Sequence, residues 1–87
     1  NDICRLPEAV THLVGTIIRG RVGSNGFELR VYSTQEATVS INNVSGAGVE
    51  AAIAANYYFE AELVTTTRWI LKCWDTLGAY VVIVPNV

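Results

Sequence analysis

Trp74, Asp75 and Thr76 are the residues whose types and spacing best suit the holding of a ligand. A solvent-facing indole can cover the apolar face of a pyranose, while a neighbouring carboxylate accepts hydrogen bonds from its hydroxyls. Glycan contact is therefore the chemistry expected of Trp74 and Asp75, with Thr76 as a secondary contact. The competing reading is that Trp74 packs under a loop or in a subunit contact. Tyr32 and Tyr80 are weaker candidates with the same ambiguity. Cys4 and Cys73, the only cysteines, offer the other chemistry. An even pair in a short, methionine-free chain beginning at Asn1 reads as a processed, secreted domain closed by one disulfide. In the chain-entropy model, closing so long a loop would stabilise the fold by roughly 4 kcal/mol. The competing reading is two unrelated buried thiols in a cytosolic protein.

Catalytic constellations are not expected. His12 is the sole histidine and has no nucleophile in a catalytic setting beside it. One histidine and two cysteines far apart in the chain cannot make a zinc site, so neither a metal nor another cofactor is expected. Glu60 and Glu62 share one strand face, where paired carboxylates rarely flank a substrate, and read as solvated or interface charges. Gly46-Ala47-Gly48 lacks the lysine and the length of a phosphate loop. Asn43-Val44-Ser45 is a glycosylation sequon, meaningful only in a eukaryotic secretory host. The expectation is a binding protein rather than an enzyme.

The elements that must position these residues are mostly β. A length of 87 residues allows one domain, spanning residues 1–87. The chain is 51% hydrophobic and 16% charged, a surface short of charge, so subunit contacts are expected to cover part of it. No apolar run approaches the length of a membrane-spanning helix. Any signal peptide is expected to have been removed already. Five arginines and one lysine, scattered, form no basic stripe, so nucleic acid is not expected as a partner. Thr16–Val22 and Phe27–Tyr32 flank Asn25-Gly26, a hairpin signal because both residues tolerate positive φ. A third alternating strand, Ala37–Asn42, would complete a meander. Val49–Tyr57 is rich in alanine and reads as the one helix. Its only polar residues are Glu50 and Asn56, and Val49 and Ile53 supply its large contacts. A helix so poor in charge is expected to meet other chains or line a pore. Tyr58–Trp74 is a long β stretch with Phe59, Leu63, Trp69, Leu71 and Cys73 on one parity and Trp74 on the other. Asp75–Gly78 forms a turn, and Ala79–Val84 a final strand. The expected fold is mainly β with one helix: a five-stranded barrel of the oligonucleotide/oligosaccharide-binding (OB) type, with the helix between strands three and four.

This order resembles the B subunits of bacterial toxins that carry one A chain on five B chains, of the Shiga and cholera types. The features that carry the resemblance are Cys4, the meander Leu13–Asn42, the small-residue helix Val49–Tyr57, the strand ending Leu71-Lys72-Cys73-Trp74, and the closing strand Tyr80–Val84. It implies a disulfide between the cysteines, an OB barrel, and a secreted homopentamer whose pore is lined by Val49, Glu50, Ile53 and Asn56. It also implies a catalytic A subunit as partner and a cell-surface glycolipid or glycoprotein sugar as ligand. The tryptophan follows the second cysteine at once, without the residue that intervenes in the cholera type. A reading of another class is a small OB-fold subunit of a single-strand nucleic-acid-binding complex, similar to the smallest subunit of replication protein A. The strand order fits that equally well, while the paired cysteines count against it.

Overall fold

The structure, a computed structural model, describes residues 2–87. Eight short strands form two sheets: β1 (Asp2–Arg5), β2 (Ile17–Arg21), β3 (Phe27–Arg30), β4 (Ser40–Ile41), β5 (Ala51–Ile53), β6 (Tyr58–Thr65), β7 (Arg68–Trp74) and β8 (Tyr80–Val81). The first sheet has the order β1-β3-β5, with β1 parallel and β5 antiparallel to β3. In the second sheet β6 lies antiparallel between β2 and β7, and the other edge of β7 carries β4 at its start and β8 at its end. Two single turns of 3₁₀ helix, Thr11–Leu13 and Ser33–Gln35, are the only helical segments among the described residues.

The core lies between the inner faces of the sheets. Strand alternation turns Leu29, Ala51 and Ile53 inward from the first sheet, and Ala61, Leu63, Trp69, Leu71 and Cys73 inward from the second. Ile41 of β4 adds to it from the second sheet, and Val22, Val31, Val39 and Val49 close it from the connecting segments. Phe27 meets Phe59 edge to face, with ring centroids 5.7 Å apart, and so joins the sheets directly. Each large side chain buried in this way contributes about 1.5–3 kcal/mol against the unfolded chain.

Three expectations are corrected. No barrel closes, because β3 pairs with β1 and β5 rather than with β2. The Asn25-Gly26 hairpin does not form, and neither residue has positive φ, which the favoured two-residue turn would require. Instead Val22 donates to the Tyr57 carbonyl and Asn56 donates to that of Gly23, so β2 stays with the lead-in to β6. Gly26 then passes so close to β5 that a Cβ there would lie 2.9 Å from the Ile53 carbonyl oxygen. The chain crosses between sheets at the point where a hairpin was expected.

The helix over Val49–Tyr57 is also absent. Ala51–Ile53 is a strand against β3, Glu50 pairs with Asn86 in an isolated bridge, and Asn56 turns the chain at φ 65°. Val49, Ala51 and Ile53 are buried while Ala52 and Ala54 are exposed, a period of two rather than 3.6. Alanine's helix preference is worth at most about 0.7 kcal/mol per residue over other ordinary residues, and a helix this short is marginal alone. Burying Val49 and Ile53 outweighs that preference. Glu50 lies on no helix; its carboxylate accepts a hydrogen bond from Arg30 at 2.9 Å.

Two further segments are shorter than expected. Tyr58–Trp74 folds back on itself at Thr66-Thr67, with an irregularity in register between Leu63 and Thr65. Only Tyr80 and Val81 of the last apolar run are in a strand.

Candidate aromatic-lined ligand site

The outer face of the second sheet is built by the residues that alternate with the core set. Register places Arg21 beside Tyr58 and Tyr58 beside Trp74, with Tyr80 beyond Trp74 on β8. Four strands thus present one row: a guanidinium followed by three aromatic rings. The next row holds Arg19, Glu60 and Lys72. Trp74 is half-buried on the face opposite Cys73, and it meets Tyr80 edge to face with centroids 6.0 Å apart. Tyr58 and Tyr80 are exposed, at 46% and 57%. A groove of about 350 Å³ runs between these rows, lined by Arg19, Gly20, Tyr58, Phe59, Glu60 and Trp74. That volume lies at the low end of the range for small-molecule sites.

Gly20 backs the groove from beneath, paired with Phe59, and its missing side chain leaves room for that ring on the core side of the sheet. A Cβ there would lie 2.9 Å from the Phe59 ring, so any other residue would push that ring out of place. The Arg19 Nε donates to Glu60 at 2.9 Å and fixes the carboxylate at the groove wall. The arrangement offers flat apolar rings, one held carboxylate acceptor and guanidinium donors, the combination that grips a sugar ring by its face and hydroxyls.

The three residues expected to bind glycan divide on inspection. Trp74 lines the groove. Asp75 does not: its Oδ1 accepts from the Leu77 and Ala79 amides at 2.9 and 3.0 Å, so the carboxylate organises the turn into β8. Thr76 is exposed in that turn and is not among the groove-lining residues. Tyr58, Arg19 and Glu60, which do line it, were not expected as contacts. Their outward parity was readable from the alternation of β2 and β6, but their adjacency to Trp74 depends on register.

Elsewhere, Glu28 and Glu50 both accept from the Arg30 Nη2 at 2.9 Å on the outer face of the first sheet. The Arg30 hydrogen bond holds the Glu28 carboxyl below its ordinary range, whereas the hydrogen bond shared with Glu28 raises that of Glu50. Glu36 accepts from the Gly48 amide and from Arg5, both at 2.9 Å, and its carboxyl is lowered by these two bonds in that order. These are structural clamps on loops and strands. Both cysteines are free thiols, Cys4 half-buried in β1 and Cys73 buried in β7.

No protein-family model, curated protein or solved structure matches this chain.

Proposed function

We propose that the protein is a non-enzymatic glycan-binding module whose ligand lies in the groove beside Tyr58 and Trp74. The observation that carries this reading is the row of Tyr58, Trp74 and Tyr80 on adjacent strands, all at least partly exposed and lying beside the charged row of Arg19, Glu60 and Lys72. Aromatic surface of this kind is costly to leave wet unless it is used. The reading retains the glycan-binding part of the toxin-subunit resemblance. It does not retain the five-membered ring, because the segment that would line the pore is a strand and a turn.

Single sugar sites of this size are weak, typically near millimolar Kd or about 4 kcal/mol. The test is a glycan array displayed at high density, followed by titration of the hits in solution. Trp74→Ala and Tyr58→Ala are each expected to weaken binding roughly tenfold or more, through loss of stacking area. The circular dichroism of both variants should stay unchanged. Normal glycan binding by both variants would place the site elsewhere, and tighter binding of a single-stranded oligonucleotide than of any sugar would assign the aromatic row to bases.

A further inference from the structure

We infer that the sugar held by this groove is acidic, bearing a carboxylate; the inference rests on the glycan-binding reading above. The protein carries a net charge of −2, yet three of its six cationic side chains, Arg19, Arg21 and Lys72, stand in the two rows that flank the groove. Rows on one strand face are about 6.6 Å apart, two residues of strand rise, so one small anion can lie within reach of both. The only carboxylate in those rows is Glu60, which Arg19 already engages. Asp75, next in chain to Trp74, has an oxygen occupied by two backbone amides.

The guanidinium donors are largely uncommitted. Arg19 gives only its Nε to Glu60, and its side chain is 70% exposed. Arg21 gives one Nη2 bond to Asn56 at 3.1 Å. Both keep free N–H groups in the fork geometry that matches a carboxylate. Lys72 is exposed and adds a third positive charge to the same face. A neutral sugar would use the aromatic rings and leave these donors to water. An acidic sugar uses both, and a charge-assisted hydrogen bond is worth about 1.5–3 kcal/mol, or roughly tenfold and upward in affinity. A nucleic-acid strand fits less well, because Glu60 and Glu62 stand on the same face, in line with a path along β6 that a phosphate backbone would follow.

The experiment uses the whole chain and matched glycan pairs that differ only in the acid group: sialylated against desialylated, and uronate against its methyl ester. Acidic members are expected to bind about tenfold or more tightly than their neutral partners, and the ratio should shrink as salt rises from about 0.15 M to about 1 M. In the Arg19→Gln/Arg21→Gln double variant, checked for folding by its melting curve, the ratio should fall toward one. Equal binding of acidic and neutral members overturns the inference while leaving the glycan site in place. A preference that survives the double substitution overturns it too. If no member of any pair binds, the glycan-binding reading fails and this inference fails with it. A decathymidylate bound more tightly than every glycan would reassign the cationic rows to nucleic acid and overturn both.

Discussion

Asp75 and Cys73 show how one side chain supports different readings until its partners are known. A carboxylate after an exposed tryptophan suits a ligand, but a short acidic residue at the start of a turn also bonds its own backbone two residues on. In this turn the local bond to Leu77 prevails, reinforced by Ala79. Cys73 is fully buried between the sheets, and burial pushes its thiol up to about 11. Because the thiolate is the reactive form, Cys73 should resist alkylation near neutral pH in the native state. It should react only as the pH approaches 11 or the fold opens. Titration with a thiol reagent after denaturation without reductant is expected to find both cysteines free. A count of zero would instead restore the bridge between Cys4 and Cys73, and with it the secreted reading.

Among the elements, the β4-to-β5 region is where residue preference and the fold disagree most. If Ala51–Ile53 is a strand, a β-branched residue at the exposed position Ala52 should be neutral or mildly stabilising, because it fits a pleated surface beside Glu28. Were the segment helical, Ala52→Val would cost roughly 0.5 kcal/mol. Chemical denaturation of this variant distinguishes the two, and an unchanged or raised midpoint is the expected result. The sequence carried the alternation of β6 and β7 clearly, because Phe59 to Leu63 and Trp69 to Cys73 are apolar at every second position. It therefore carried the outward placement of Trp74. It did not carry strand pairing: the Asn25-Gly26 signal is local, whereas the partners of β2 and β3 are set by the burial of Val22, Leu29 and Ile53 across the core. Tyr58 and Arg19 became site residues only once β2, β6 and β7 were in register. Val49–Tyr57 misled because alanine is compatible with a small-residue strand as well as with a helix.

At the scale of the molecule, the two outer edges of the second sheet are protected unequally. The edge strand β2 carries Arg19 and Arg21, the kind of charge that keeps an unpaired strand from docking on another chain. The opposite edge has no such guard, since residues 76–87 contain no charged side chain. Leu77, Tyr80, Val82, Val84 and Val87 are exposed there, with Val82 at 72% and Val84 at 75%. Val82–Val84 continue past β8 outside any strand, with Ile83 turned toward the core. High β-propensity, exposed apolar groups and the absence of charge are the conditions under which a strand edge recruits another strand. The protein is therefore expected to self-associate as its concentration rises. Val82→Lys places one charge at the middle of this edge without touching the core, so its stability should stay within about 0.5 kcal/mol of the parent. Sedimentation velocity on the two proteins at matched, high concentrations should show the association weakened in Val82→Lys. Equal association would mean that the contact lies on the aromatic face instead, and Tyr58→Ala, which leaves the edge intact, would then be the variant that weakens it.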